Sequence, residues 1–154
     1  WRKAIADGHH VLNHSVSHKT DMAYKSDTFI IDEITGWEKV AARVLGDEYL
    51  MKMKEEMPFF RPPGGSDSAR MRQILGNLGY PVMPFWSVED YHFQKTNTKN
   101  ITLSDHYSRE TENGSVYLLH PYNYMHLESI IDKVQAKGYE FKLLADIIDW
   151  DGIG

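Results

Sequence analysis

Two histidines four residues apart, His14 and His18, are the first residues of this chain that read as chemistry. On a single helical turn, positions i and i+4 share a face, so both imidazoles would point the same way and could chelate one metal ion. Two neutral nitrogens leave room for a carboxylate and a water. That arrangement binds Zn²⁺ or a neighbouring divalent ion and lowers the pKa of the coordinated water toward ~7. The same spacing also describes two surface histidines on a loop. Arg61 lies between an aromatic pair and Pro62-Pro63-Gly64-Gly65, which would hold its backbone and expose glycine N–H groups at a strand end, donors suited to an oxyanion. A strand-terminating turn with a surface arginine reads alike. His120 ends the apolar run Val116-Tyr117-Leu118-Leu119 and could act as a general acid near neutral pH, or be a satisfied histidine at the rim of a core. Trp86 could wall a pocket or belong to the core. His9, His10, His106 and His126 have no partner pattern, and Asp32 falls on the solvated face of a strongly periodic helix.

The elements that must position these groups alternate in type. Residues 1 to 7 read as the tail of a helix, closed by Asp7-Gly8. His10 to Asn13 forms a short strand that delivers His14 to His18 to its C-terminal end. Ser26 or Asp27 caps a helix in which Phe29, Ile30, Ile34, Trp37, Val40, Ala41, Val44 and Leu45 keep a roughly 3.6-residue period up to Gly46. Residues 47 to 57 fit either a short helix or a loop. Pro58 to Arg61 is a strand, stopped by the following prolines and glycines. Ser66 or Asp67 caps a helix ending at Gly79, and Tyr80 to Val88 is the next strand. Residues 89 to 113 are polar, with a helix around 100 to 108. Ser115 to Leu119 is a strand, Leu127 to Lys137 an amphipathic helix, and Glu140 to Leu144 and Ala145 to Trp150 a last strand and helix. This alternation predicts an α/β fold with a mostly parallel sheet, and the candidate residues all follow strands, where such sheets place their sites.

Composition narrows the function. With 17 basic and 22 acidic residues, the formal net charge of −5 lacks the basic stripe of a phosphate-backbone binder, so nucleic acid is not the expected partner. Cysteine is absent, so any metal must be held by His, Asp or Glu. No apolar run approaches the ~20 residues needed to cross a bilayer, and no secretion signal opens the chain. Trp1 starts inside an amphipathic pattern without a methionine, which suggests a piece of a longer protein.

Taken in order, Asn13-His14-Ser15-Val16-Ser17-His18, Phe60-Arg61-Pro62-Pro63-Gly64-Gly65, Phe85-Trp86-Ser87-Val88 and Tyr117-Leu118-Leu119-His120 resemble the polysaccharide deacetylases of the NodB-homology type, carbohydrate esterase family four. The resemblance runs from the first helix nearly to the last residue and implies a distorted (β/α) TIM-like barrel truncated at its N-terminus. Residues 1–154 would be the C-terminal portion of a single catalytic-type domain. It also implies hydrolysis of N-acetyl groups on an amino-sugar polymer such as peptidoglycan or a chitin-like chain, outside the cell or at its surface. By the same resemblance His14 and His18 bind a divalent metal, with Zn²⁺ the expected ion, and Arg61 orients the catalytic base. The N–H of Gly64, where many relatives carry Tyr, would stabilise the oxyanion. Leu118 and an aromatic of the fourth motif would pack on the acetyl methyl, and His120 would protonate the leaving amine.

Two departures accompany this likeness. The motif that supplies the base and third metal ligand, a strand ending in two aspartates, should lie upstream of residue 1, so the chain alone is expected to be inactive. The barrel edge left open there would either keep an N-terminal piece bound or pair with another copy. After Trp-Ser-Val, where relatives carry an Asp-Trp pair, spacing aligns His92 and Phe93, and a shifted alignment uses Asp90 and Tyr91. Two other readings stand beside the enzyme: a non-catalytic carbohydrate-binding module derived from one, and a different metallohydrolase.

Overall fold

The computed structural model describes residues 1–98 and 100–148. These form two compact units, residues 1–84 with the described part of 143–154, and residues 85–142. No helix among the described residues is long and apolar enough to cross a membrane.

In the first unit, helix α1 (Arg2–Ala6) is followed, after an extended segment and a loop, by α2 (Asp27–Leu45). The Ser26 hydroxyl accepts the Phe29 N–H at 3.2 Å, capping α2, and Gly46 ends it at φ 100°. Ile30 and Ile34 are fully buried, with Phe29 and Trp37 packed beside them, as the period of the sequence predicts. Residues 47–57 resolve as helix α3 (Asp47–Glu56), because Met53 is buried and Tyr49 and Leu50 pack on the same core. Helix α4 (Ala69–Asn77) is capped by Ser68, whose hydroxyl accepts the Met71 N–H at 3.2 Å, and not by Ser66 or Asp67. Ser66 is engaged elsewhere, accepting the buried Ala23 N–H at 2.8 Å.

The sheet of this unit is reduced to single parallel bridges, Asn13↔Phe60 and Phe59↔Val82. Successive residues of an extended chain face opposite sides, and both Phe59 and Phe60 are completely buried, so this short segment is covered on both faces. The strand expected from Tyr80 to Val88 does not run through. Pro81 and Pro84 have no N–H for a ladder, only Val82 pairs here, and Val88 pairs in the other unit. The short helix Leu144–Ile147 lies where the sequence suggested the end of a strand and the start of a helix, and Leu144, Ala145 and Ile148 pack on this core. Residues 140–143 make no strand, and Asp149 and Trp150 fall outside the described residues.

The second unit pairs β1 (Val88–Glu89) in parallel with β2 (Tyr117–Leu118), in the register Val88↔Tyr117 and Glu89↔Leu118. Between them lie α5 (Tyr91–Thr96) and α6 (Leu103–Glu110), two helices where the sequence suggested one. After β2 a 3₁₀ segment, Pro121–His126, leads into α7 (Leu127–Gln135). Val88, Leu103, Tyr107, Ile130 and Val134 form the core, and the buried Tyr107 hydroxyl donates to the Leu118 carbonyl. The described chain is therefore a helix-rich α/β protein whose strand pairing is parallel and short.

Because Phe60 is fully buried between two parallel neighbours, Phe60→Ala should cost about 3–5 kcal/mol, read as a lower urea midpoint with an unchanged m-value.

Candidate functional site

The bridge at Asn13 ends where the histidine loop begins. Asn13 is 1 % exposed, and its amide donates to the Ile34 carbonyl at 3.2 Å and to the Tyr80 hydroxyl at 3.1 Å, which ties the strand end to α2. Its carbonyl oxygen accepts the Ser15 N–H at 3.0 Å, starting a tight turn. Residues 14–18 are not a helical turn, as the four-residue spacing suggested: Ser15 (φ 68°) and His18 (φ 55°) both take the left-handed conformation. Non-glycine residues enter that region at a cost, so something must hold them there. The Ser15 hydroxyl accepts the His18 N–H at 3.2 Å. One oxygen of Glu33, from α2, accepts the N–H groups of Val16 at 3.2 Å and Ser17 at 2.8 Å.

The turn brings the two imidazoles together with ring centroids 5.0 Å apart and planes at 78°. His14 Nδ1–H donates to the Arg61 carbonyl, which leaves Nε2 as an acceptor, and Arg61 Nη2 donates to it at 3.0 Å. Burial pushes the Arg61 guanidinium below its ordinary value. As metal donors, the two rings suit two corners of a tetrahedral site with Zn–N bonds of about 2.0–2.1 Å. Among the described residues no group of three His, Cys, Asp or Glu side chains is arranged to complete it. Gly64, in the 3₁₀ turn after Arg61, sits at φ 61°, and a Cβ there would lie 2.9 Å from the Thr20 side chain. A side chain at this position therefore meets both left-handed strain and Thr20.

In the second unit the end of β1 supplies Asp90 and the end of β2 leads to His120. Asp90 is completely buried, and its Oδ1 lies 2.6 Å from His120 Nδ1. Its Oδ2 accepts the His120 backbone N–H at 2.8 Å and the Asn123 amide at 2.6 Å. Burial alone would raise the Asp90 carboxyl, but the donors from Asn123 and His120 outweigh it and hold the group below its ordinary value. An ionised carboxylate only accepts, so Nδ1 of His120 carries the hydrogen and Nε2 is the atom left for chemistry. Tyr122 stacks on the imidazole at 5.2 Å and 12°, and Tyr91 flanks it at 6.1 Å. The shifted alignment is thus the one that folds: Asp90 and Tyr91 adjoin His120. His92 is exposed with its N–H on Glu89, and Phe93 stacks on His106 at 4.0 Å. Leu118 is half-buried on β2, and Trp86 packs against Phe85 at 6.0 Å.

Two side chains that matter here escaped the sequence reading. Asn123, in Tyr122-Asn123-Tyr124, carries no local signal. Glu33 does carry one, because it falls between Ile30 and Ile34 on the apolar stripe of α2, where a carboxylate needs a reason; Asp32 beside it is exposed.

These loops each carry imidazole chemistry at the end of a short parallel pair of an α/β protein. The chain belongs to the polysaccharide deacetylase family, whose model matches residues 1–83. Among curated proteins it is similar to the peptidoglycan-N-acetylmuramic acid deacetylase PdaA of Bacillus subtilis (strain 168), 28 % identical over 150 residues, which cover 95 % of this chain and 54 % of that protein. The solved structure of B. subtilis PdaA, a family 4 carbohydrate esterase, matches 95 % of this chain and 61 % of its own with a TM-score of 0.66. In fold the chain is also similar to the chitin deacetylase of the fungal pathogen Colletotrichum lindemuthianum (TM-score 0.73, 20 % identity, 96 % of this chain and 66 % of that one). A CE4 family pseudoenzyme from Bacillus anthracis matches likewise (TM-score 0.70, 19 % identity, 96 % and 49 %). The chain spans about half the length of the curated relatives it matches.

Glu33 behaves as Asp90 does: burial would raise it, and donors from Ser17, Ser15 and Val16 bring it below its ordinary value. Groups depressed in the folded state bind fewer protons there than when unfolded. The stability they contribute is complete above the ordinary carboxylate values of 4.5 and 3.8 and is lost as pH falls through the folded values. Urea unfolding of the wild type should therefore weaken steeply below about pH 4.5, and Glu33→Gln should flatten that dependence while lowering stability at neutral pH. A Glu33→Gln curve parallel to wild type would contradict the assignment.

Proposed function

We infer that the chain is part of a polysaccharide N-deacetylase that hydrolyses the acetamido group of an acetylated amino-sugar polymer, with peptidoglycan the first candidate. The observation that carries this reading is the Asp90–His120 pair, an imidazole whose Nδ1 is held by a buried carboxylate and whose Nε2 is left for a substrate. Such a group is built to deliver a proton to a leaving amine. Its family membership, and a peptidoglycan-deacetylase relative aligned over 150 residues spanning both units, support a single NodB-type domain over residues 1–154 with a TIM-like barrel as its complete form. Acting on peptidoglycan, the protein would work outside the cell or at its surface.

In this reading His14 and His18 would hold the divalent metal, Zn²⁺ first, through imidazoles that Asn13, Glu33 and Arg61 keep in place. The metal would polarise the amide carbonyl and acidify water. Arg61 orients the carboxylate that acts as base. The Gly64 N–H donates to the developing oxyanion. Leu118 contacts the acetyl methyl, Trp86 lines the sugar, and His120 passes its Nε2 proton to nitrogen. A second reading, a carbohydrate-binding module without turnover, draws on the two-histidine donor set among the described residues and on the pseudoenzyme among the structural neighbours.

Acetate release from N-acetylated oligosaccharides and peptidoglycan by the full-length protein separates the two. The enzyme reading expects turnover that a chelator abolishes and Zn²⁺ restores, that His14→Ala eliminates, and that His120→Ala lowers about 10²- to 10⁴-fold in kcat. Saturable glycan binding with no acetate released from any of these substrates would leave the binding module.

A further inference from the structure

Asn123 takes no part in the chemistry just described, yet it is among the most enclosed polar side chains of its unit, at 4 % exposure. Its amide nitrogen donates to Asp90 Oδ2 at 2.6 Å. Its carbonyl oxygen accepts from Gln94 Nε2 at 3.0 Å, and a longer return contact of 3.4 Å runs from Asn123 Nδ2 to Gln94 Oε1. Its backbone N–H donates to the His120 carbonyl at 2.9 Å, so the 3₁₀ turn begun by Pro121 sets it a fixed distance behind the histidine.

The direction of this chain of bonds is forced. Asp90, ionised, can only accept, so Asn123 must present its NH₂ to it and its oxygen to Gln94, which must donate in turn. Reversing the Asn123 amide would set oxygen against oxygen in a dry site.

We propose that Asn123, aligned by Gln94, is a positioning residue that keeps the proton shared by Asp90 and His120 on Nδ1 of His120, so that the ring is Nδ1–H when neutral and an imidazolium when it delivers from Nε2. The proposal deepens the deacetylase reading and rests on it for its catalytic consequence. Asp90 has three donors: His120 Nδ1–H, His120 N–H and Asn123 Nδ2–H. With all three in place, the carboxylate has no call for a proton of its own, and His120 keeps Nδ1–H whether neutral or charged. Every proton it delivers then leaves from Nε2. Without the Asn123 donor, a completely buried carboxylate gains by taking the Nδ1 proton of the imidazolium and offering it back to Nδ1 as a hydrogen bond. His120 would then rest as the neutral Nε2–H tautomer, whose hydrogen still leaves from Nε2 but which is a far weaker acid than the imidazolium.

The test uses full-length protein with ¹⁵N-labelled histidine. In the wild type the neutral His120 ring should show a protonated Nδ1 and a pyridine-like Nε2. Asn123→Leu, close in shape and without a donor, should populate the Nε2–H tautomer and lower kcat roughly 10- to 100-fold, the usual range for outer-shell partners, with KM within about threefold. Gln94→Ala, on an exposed position, should shift the tautomer the same way to a smaller extent, and it serves if the core variant does not fold. An unchanged His120 tautomer in both variants overturns the proposal. So does a changed tautomer with unchanged kcat. A wild type with no deacetylase activity would remove the functional reading, while the nitrogen shifts would still decide whether Asn123 sets the tautomer.

Discussion

A carboxylate taken out of water has to find its hydrogen-bond donors in the chain, and in this protein that requirement shapes both histidine sites. Asp90 has no exposed surface and Glu33 is 9 % exposed, yet both are held below their ordinary values. Each reaches that state by collecting backbone N–H groups from the loop that carries a candidate histidine: Val16 and Ser17 for Glu33, His120 itself for Asp90. The exchange works in both directions. The carboxylate gains the donors that make its burial tolerable, and the loop gains a fixed shape.

That mechanism explains why the sites need so little sheet. Strand pairing in the first unit is a pair of single bridges, and in the second a two-residue ladder. Ladders this short would not by themselves hold a side chain to catalytic tolerance. Rigidity comes from side chains instead. Asn13 binds α2 and Tyr80, Tyr80 donates to Glu38 at 2.9 Å, and Tyr107 ties α6 to β2. Three polar aromatic or amide groups thus do for these strand ends what a longer ladder does elsewhere.

The histidine pair and Arg61 share a further constraint. Arg61 takes the His14 Nδ1 hydrogen with its carbonyl and offers a guanidinium hydrogen to Nε2, so one residue orients the ring and also approaches its lone pair. A cation bound by both imidazoles would have to displace that contact. In the proposed reading, metal binding and the Arg61 side-chain position would be mutually dependent, with a carboxylate drawn toward the metal as the alternative partner of the guanidinium.

What the sequence determined by itself was local: the cap and period of α2, the turns at Pro62–Gly65, the candidate histidines and Arg61, and the ordered motifs that place the chain among the polysaccharide deacetylases. These are legible because caps, periodicity and prolines act over a few residues. Tertiary structure alone decided whether Asp90 or His92 faces the histidine of β2, that the His14–His18 loop is a left-handed turn and not a helix, and that Glu33 and Asn123 hold the two sites together. Those choices depend on partners 16 to 33 residues away in the chain, as in Ser17 with Glu33 and Asn123 with Asp90. Nothing in a local window distinguishes one buried donor from another until the fold has closed around it.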